Sequence, residues 1–196
     1  MERASSDPMP TSIKFESLKG QLLLDSGQLT GSWFHRTVVL ICHHDREGAF
    51  GLVLNRRTEM PMEEVVNETL PDTLKKLPLH LGGPVQPEAL SFLHSDALIL
   101  NANVMPNLEK SHDLAELVEL ASNFSPACKL RIFGGYSGWG AGQLDSEMAR
   151  HSWITHPASI DLVFDEEGLT LWRRVLLSKG PKFRLLAELP DDLSLN

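Results

Sequence analysis

The sequence predicts a single α+β domain, and three observations support that fold class. The first half of the chain holds apolar, strand-like runs separated by short turns, as antiparallel hairpins do. The second half mixes amphipathic helices with strands and lacks the strict alternation of a doubly wound parallel sheet. At 196 residues, the chain is long enough for one domain with a substantial core and short for two.

A β-hairpin is the most clearly predicted local structure. "QLLLD" (21–25) is the first apolar strand, and "RTVVLICHH" (36–44) is a second one, rich in β-branched residues. The turn "DREG" follows, and "AFGLVLN" (49–55) returns as a third strand. Two apolar runs separated by a short turn that contains Asp and Gly predict a hairpin.

The middle of the chain is predicted to hold one short helix and three short strands. The helix is "MPMEEVVNETL" (60–70), because Pro61 suits a first helical turn and Glu63 and Glu64 favour a helix N-terminus. The strands are "LHLGGPV" (79–85), "ALSFLHS" (89–95) and "ALILNANV" (97–104), which turn signals separate.

The second half is predicted to alternate helices and strands. "SHDLAELVELASNF" (111–124) places Leu114, Leu117, Val118 and Ala121 on one face, the pattern of an amphipathic helix. Then follow a strand (127–136), a glycine-rich loop, a helix (143–153), the strand "SIDLVFD" (159–165) and a last helix (166–180).

Both chain ends are predicted to lie outside the folded domain. We expect residues 1–17 to form a mobile tail, 18–190 the single domain, and 191–196 an acidic tail. The N-terminal residues lack the apolar core of a secretory signal, and no apolar run is long enough to span a membrane. We therefore expect a cytoplasmic protein in which Cys42 and Cys128 are thiols, with a disulfide between them left open.

The charge balance bears on the class of partner. The chain has 26 acidic and 18 basic residues, which gives a formal net charge of −8. A nucleic-acid surface needs a basic face that neutralises phosphates. The acidic balance therefore disfavours a nucleic-acid partner.

The segment "GGYSGWGAGQLDSE" (134–147) has the composition of a phosphate or cofactor cradle, with five of the fourteen glycines and the only tyrosine. A dinucleotide fingerprint needs a third glycine where Asp145 stands, and a Walker-type loop needs a lysine that this segment lacks. Asp145 and Glu147 would also repel an anion from the first turn of the following helix. A strand-to-helix turn that packs against the core is the favoured interpretation.

The sequence predicts neither a catalytic nucleophile nor a metal site. Ser137 has the spacing of a nucleophile elbow, but Trp139 fills a position that needs a small residue. His43 and His44 are adjacent on a strand and point to opposite faces, so they cannot easily share one ion. The chain contains no H-E-x-x-H or C-x-x-C motif. We expect no metal and no cofactor.

The candidate binding residues lie in the glycine-rich segment and at the ends of the hairpin strands. Tyr136 and Trp139 offer aromatic surface with polar tips. Arg36 and Asn55 are candidates for the polar anchors of a pocket, although structural hydrogen bonds at strand ends are the simpler interpretation. The full set is Arg36, Asn55, Gly135, Tyr136, Trp139, Gly140, Gly142, Gln143 and Asp145.

Four groups of residues occur here in an order that is specific as a whole. They are "GQLLLDSGQLTGSWFHRTVVLICHHDREGAFGLVLNR", "LGGPV", "SFLHS", and "GGYSGWGAGQLDSEMARHSWI" followed by "DLVFD". Over about residues 18–177 the chain thereby resembles the YqgE/AlgH family of bacterial proteins, for which no reaction is assigned. The resemblance implies a bent, mixed or antiparallel sheet that forms a pseudo-barrel flanked by helices.

One branch of that family carries a label as a transcriptional regulator of exopolysaccharide synthesis. This chain departs from the family pattern at Ser137, where an alanine is usual, and at Asp145, where a glutamate is usual. The family's ending is also replaced by "AELPDDLSLN". Regulation, where the label applies, is expected to be indirect.

We expect a binding or regulatory module and not a catalyst, with segment 134–142 as its contact surface. One alternative is an enzyme with a small-molecule pocket beside the same segment, using Tyr136, Gln143 or Asp145. Another is a direct DNA-binding regulator, which the net charge disfavours. The expected partner is a protein or a small polar ligand, and neither nucleic acid nor a membrane.

Overall fold

The structure is a computed structural model that describes residues 15–66, 70–95, 101–122, 128–165 and 168–189. Its strands are β1 (Gln21–Asp25), β2 (Val38–Asp45), β3 (Gly48–Val53), β4 (Arg57–Pro61), β5 (Pro78–Leu81), β6 (Val85–Ser95), β7 (Glu109–Ser111), β8 (Lys129–Gly140) and β9 (Trp153–Pro157). Its α-helices are α1 (Met62–Val65), α2 (Asp72–Lys75), α3 (Leu114–Ser122), α4 (Gln143–Ala149), α5 (Ile160–Phe164), α6 (Gly168–Ser178) and α7 (Arg184–Glu188), with a 3-10 turn at Pro181–Phe183. The predicted α+β class and the predicted hairpin, β2–β3, are confirmed.

All nine strands belong to one mixed sheet. Its main path runs β4-β5-β8-β3-β2-β1-β9, and β6 pairs with both β8 and β7. Among the described strands, only the β5–β8 pairing is parallel. The sheet is open, because its path ends at β4 and β9, and it does not close into a barrel. Each of these edge strands ends in a proline, Pro61 or Pro157, which cannot donate a backbone hydrogen bond to a further strand.

The central strands β1 and β2 are buried on both faces, which explains their continuous apolar runs. Leu22 and Leu40 belong to a cluster that α5, α6 and α7 cover on one face. Leu23 and Val39 belong to a second cluster on the opposite face. A third cluster packs α1, α2 and α3 against β5, β6 and β8.

The strand predicted at 159–165 is wrong, because these residues form helix α5. Ser159 caps the helix, and its side chain accepts a hydrogen bond from the Leu162 backbone N–H at 3.3 Å. Leu162 and Val163 are buried against the sheet. A short apolar run has no decisive period, so the cap decides its conformation.

Three other predicted boundaries also moved. Met60 and Pro61, predicted to begin a helix, end strand β4 instead, and α1 begins at Met62. The helix predicted at 143–153 ends at Ala149, and Trp153 begins β9. In the strand predicted at 97–104, residues 101–104 form turns, and residues 97–100 lie outside the described part of the chain.

The predicted glycine-rich loop is also wrong as a local structure. Strand β8 continues through these glycines to Gly140, pairing with β3 from Gly48↔Gly140 to Gly51↔Ser137. The connection to α4 is only two residues long. Glycines in a strand interior commonly mark a place where another backbone approaches closely.

That approaching backbone is Gly82-Gly83, which crosses β8 at Gly134–Tyr136. The Gly82 N–H donates to the Gly134 carbonyl at 2.9 Å, and the Gly82 carbonyl accepts from the Val53 N–H at 2.9 Å. A Cβ atom on Gly83 would overlap the carbonyl group of Tyr136. Gly82, Gly83 and Gly135 therefore serve close backbone packing, which gives part of the glycine content of this region a structural cause.

We expect Gly83→Ala to lower the free energy of unfolding by about 3 kcal/mol or more, because the new methyl group meets rigid backbone. Gly140→Ala is the matched control, since nothing lies within 4 Å of a Cβ atom at that strand position. Urea unfolding of both variants measures the difference. Equal stabilities of the two variants would show that the two backbones do not approach this closely.

Candidate functional site

The nine predicted site residues do not form one site. Arg36 lies in the β1–β2 connection, and Asn55 follows β3 and contacts both Arg36 and the start of α6. Tyr136 packs against the apolar cluster that α6 covers. Trp139 packs on the opposite face of the sheet. Gly140 ends β8, Gly142 precedes α4, and Gln143 and Asp145 lie in α4. Gly135 lies in the backbone crossing with Gly83.

Asn55 is a structural residue. Its side-chain Oδ1 accepts from the Val38 N–H at 2.9 Å, and its Nδ2 donates to the carbonyls of Arg36 at 2.9 Å and Gly168 at 3.3 Å. The side chain is buried, and its amide satisfies backbone groups of three segments. The simpler interpretation from sequence, hydrogen bonding at a strand end, is the one that the structure supports.

Arg36 joins the β1–β2 connection to the C-terminal helices. Its backbone has φ 53°, and its N–H donates to Asp25 Oδ2 at 2.9 Å. Its guanidinium donates to the Leu189 carbonyl at 2.8 Å and lies 5.3 Å from the centre of the Trp172 ring. Asp25, fully buried, also accepts from the Leu29 N–H at 3.1 Å. Sequence reasoning missed Asp25, although an Asp that directly precedes Ser-Gly after a strand is a turn signal.

Trp139 is buried among aromatic rings and is not a surface residue. It is 7% exposed and stacks with Phe34 at 6.3 Å between ring centres. Its indole N–H donates to Glu147 Oε2 at 2.9 Å, and the Trp153 indole donates to the same oxygen at 2.7 Å. Glu147 thus joins β8, α4 and β9. It lies beyond the first turn of α4, so the prediction that it belongs to the first helical turn is wrong.

Asp145 takes part in fixing the N-terminal end of the described chain. Its Oδ2 lies 3.7 Å from His44 Nε2, and the His44 side chain is buried. Nδ1 of His44 accepts from the Leu18 backbone N–H at 3.0 Å, so the neutral ring carries its proton on Nε2, towards Asp145. Phe15 packs edge-on against the same ring at 5.0 Å. Phe15 therefore packs against the folded domain.

The two-residue turn before α4 is exposed. Gly142 has φ 67°, a left-handed conformation that favours glycine. The Gln143 side-chain oxygen accepts from the Gly140 N–H at 3.1 Å, and its amide nitrogen donates to Glu147 Oε1 at 3.1 Å. Gln143 therefore closes the turn with its own side chain.

Tyr136 belongs to an aromatic and cationic surface on the other face of the sheet. Its ring stacks on Phe50 with 4.9 Å between ring centres and 23° between the planes. The Lys110 ammonium lies 4.7 Å from the centre of the Phe50 ring. Beside this stack is a cavity of about 370 Å³, which we call the Phe50–Lys110 cavity. Its lining residues are Cys42, His43, Phe50, Asn103 and Lys110.

The side chains around this cavity are suited to binding and not to nucleophilic chemistry. Burial raises the pKa of the Cys42 thiol to about 12, against the opposing effect of the Lys110 and Lys19 charges. The thiol is therefore protonated at physiological pH, and only a thiolate is a strong nucleophile. Ser137 is fully buried, and its hydroxyl donates to the Gly82 carbonyl at 3.2 Å.

His43 and Asp45 form the exposed rim beside the hairpin turn. His43 Nε2 and Asp45 Oδ2 are 2.8 Å apart. The pKa of Asp45 is lowered, mainly by the Glu47 backbone N–H and next by the His43 side chain. Asp45 is thus an anion whose hydrogen-bonding capacity is largely used within the turn.

A second, more open concavity of about 560 Å³ lies beside β4 and α6, lined by Asn55, Arg56, Arg57, Leu81 and Gly168. The Arg56 guanidinium packs 4.3 Å from the Trp33 ring and donates to the Trp33 carbonyl at 2.6 Å. Burial lowers the pKa of Arg56. With Arg56 and Asn55 engaged in these contacts, this concavity is a weaker site candidate than the Phe50–Lys110 cavity.

Two further features concern only the described part of the chain. Among these residues, no three His, Cys, Asp or Glu side chains are grouped so that they could hold a metal ion. No helix of this part is long and apolar enough to cross a membrane.

Comparison with other sequences points to one family. A family model described as AlgH-like matches residues 22–184. A UPF0301 protein of Chlorobium luteolum is 38% identical over 181 residues, which cover 90% of this chain and 94% of that protein. A UPF0301 protein of Chlamydia caviae is 33% identical over 180 residues, which cover 91% and 95% of the two chains.

Solved structures agree with this assignment. The solution structure of the AlgH protein from Pseudomonas aeruginosa is 28% identical and has a TM-score of 0.71, covering 92% of this chain and 100% of that one. A crystal structure of a Corynebacterium diphtheriae protein has a TM-score of 0.73 at 22% identity, covering 90% and 94%. The second likeness concerns the fold alone.

We expect Glu147→Ala to lower the free energy of unfolding by about 2–4 kcal/mol, because two buried indole N–H groups lose their shared acceptor. Glu147→Gln keeps a side-chain oxygen and should lose less. Glu64→Ala, on the exposed surface of α1, is the control for the same change and should alter stability by less than about 0.5 kcal/mol. Chemical denaturation that gives Glu147→Ala and Glu64→Ala the same stability would rule out the shared acceptor.

We expect Cys42 to resist alkylation in the native protein. Because burial raises the pKa of this thiol to about 12, almost none of it is the reactive thiolate at pH 8. A Cys128→Ser variant isolates this thiol, and mass spectrometry after iodoacetamide treatment measures its labelling. Labelling should be fast only after unfolding. Fast labelling of the native variant at pH 8 would contradict the buried, protonated thiol.

Proposed function

This chain belongs to the AlgH-like family, and we propose that it is a non-catalytic binding module whose contact surface is the Phe50–Lys110 cavity with the adjoining Tyr136 ring. The observation that carries this proposal is the ordered stack of Tyr136, Phe50 and the Lys110 ammonium beside the cavity. Aromatic rings and a positioned cation supply contact area and orientation, which is the usual composition of a ligand site.

Of the segment 134–142 that the sequence predicted as the contact surface, only Tyr136 belongs to the proposed surface. Gly134, Gly135, Ser137 and Trp139 are buried, so they have little surface to offer a partner. Tyr136 is half-buried, and its ring partner Phe50 lines the cavity. The contact surface is therefore built from β3 and β8 with the β7 residue Lys110, and not from a loop.

A catalytic role at the same segment has weaker support. Gln143 uses its amide to close the turn before α4, and Asp145 faces the buried His44 ring. Helix α4, which carries both residues, packs with Trp139 on one face of the sheet, whereas Tyr136 packs on the opposite face. The three side chains therefore do not converge on one reacting group. A small-molecule pocket that used them together would need a different arrangement.

Indirect transcriptional regulation is compatible with a binding module of this kind. A protein that responds to a bound small molecule or protein can alter gene expression without contacting DNA itself. The net charge of −8 supports this indirect route, because direct DNA binding relies on neutralising phosphates. A protein or a small polar ligand remains the proposed partner.

The test is a thermal-shift screen with polar metabolites and nucleotides, followed by variants that locate the site. We expect at least one compound, at about ten times its Kd, to raise the Tm by about 3 °C or more. Phe50→Leu should abolish that shift. Phe183→Leu is the matched control, because Phe183 carries a comparable lysine contact, with Lys182 at 4.9 Å, outside the lining of this cavity.

Two results would overturn the proposal. One is a screen in which no compound stabilises the protein at millimolar concentration. The other is a stabilising compound whose effect persists in Phe50→Leu, since its site would then lie elsewhere. Circular dichroism of Phe50→Leu checks that the variant is folded before its response is interpreted.

A further inference from the structure

We propose that the ligand of the Phe50–Lys110 cavity is a small organic anion, with a carboxylate or phosphate group that pairs with Lys110. This inference rests on the proposed function and specifies the chemical class of its ligand. Three independent features of the cavity carry it: the charge of its lining, the positioning of Lys110 and the size of the space.

None of the described residues that line the cavity has an acidic side chain. Its five residues are one cation, one histidine, one amide, one aromatic ring and one thiol. The positive charges of Lys110 and Lys19 both act to lower the pKa of the Cys42 thiol, against the larger effect of burial. In a protein with a net charge of −8, this places positive potential at the floor of a concave site.

The Asp45 carboxylate beside His43 is already engaged. Asp45 Oδ2 lies 2.8 Å from His43 Nε2, and Asp45 Oδ1 accepts from the Glu47 N–H at 2.8 Å. These donors occupy Asp45 at the hairpin turn. Lys110 is paired with no carboxylate in any described ion pair, and its described side-chain contact is the neutral Phe50 ring. An incoming anion therefore does not have to displace an existing salt bridge at Lys110.

Lys110 is held in place before a ligand arrives. The Asn103 side chain brackets its backbone, since Nδ2 donates to the Lys110 carbonyl at 2.8 Å and Oδ1 accepts from the Lys110 N–H at 2.9 Å. Strand pairing with Leu93 of β6 fixes the same residue. The ammonium then lies over Phe50, whose ring is packed by Tyr136. A positioned lysine loses less conformational entropy on binding, which increases affinity.

The size of the cavity suits a metabolite and not a macromolecule. Its volume of about 370 Å³ lies at the lower end of the range of about 300–1,000 Å³ found for small-molecule sites. The ring edge of Phe50 and the protonated thiol of Cys42 offer apolar contacts to the rest of the molecule. A bare inorganic ion would leave that surface unused.

The experiment compares anionic and neutral probes of similar shape by NMR titration of the ¹⁵N-labelled protein. Benzoate and phenyl phosphate are the anions, which separates a carboxylate from a phosphate ligand, and benzamide is the neutral counterpart. We expect saturable shifts of the Asn103 and Lys110 amides with at least one anion and none with benzamide. Lys110→Gln should weaken that binding about 10-fold, whereas Lys182→Gln should leave it unchanged.

The contrary results refute, in turn, the charge of the ligand, the role of Lys110 and the anion site itself. Equal binding of benzamide and benzoate at this cavity refutes the anionic ligand but leaves a binding module there. Unchanged anion binding in Lys110→Gln refutes the role of Lys110. If no probe shifts these amides at 20 mM or so, the anion site is rejected, and the metabolite screen then decides separately whether the cavity binds anything.

Discussion

The structure depends on one backbone crossing, in which Gly82-Gly83 passes directly over strand β8 at Gly134–Tyr136. Cβ atoms on Gly82, Gly83 or Gly135 would collide with backbone atoms of the other segment, so the two segments can approach this closely only because these three residues are glycines. The crossing links β5, which pairs with β8 in parallel, to β6, which pairs with β8 antiparallel. Beyond the crossing, β3 pairs with β8 as far as Gly140, and β8 supplies residues to all three apolar clusters.

Because β8 is a strand, its side chains are divided between two faces. Tyr136 packs with Phe50 on the face that carries the Phe50–Lys110 cavity, whereas Trp139 packs on the other face. On that second face, Glu147 accepts both indole N–H groups and joins the strand to α4. One segment thus contributes separately to a proposed contact surface and to the core, which is why its conspicuous residues do not form a single site.

Local sequence patterns predicted those parts of the fold that local forces determine. The β2–β3 hairpin follows from two apolar runs around an Asp/Gly turn, and the start of α4 at Gln143 was correct. Long-range contacts decided the rest. The strand character of the glycine segment depends on its pairing with β3, which lies far earlier in the chain, and the burial of Trp139 depends on Glu147 and Trp153. The helix α5 was missed because five apolar-rich residues fit either period, and Ser159 resolved the choice.

The glycine-rich segment 134–140 is a paired strand and not a loop. Native-state hydrogen exchange of its amides can distinguish the two, because a residue in a paired strand exchanges only when the sheet opens. We expect protection of these amides comparable to that of β2 and β3, with fast exchange beginning at Ala141 in the exposed turn. Fast exchange throughout 134–140, alongside protected β2 and β3 amides, would show that this segment is a loop.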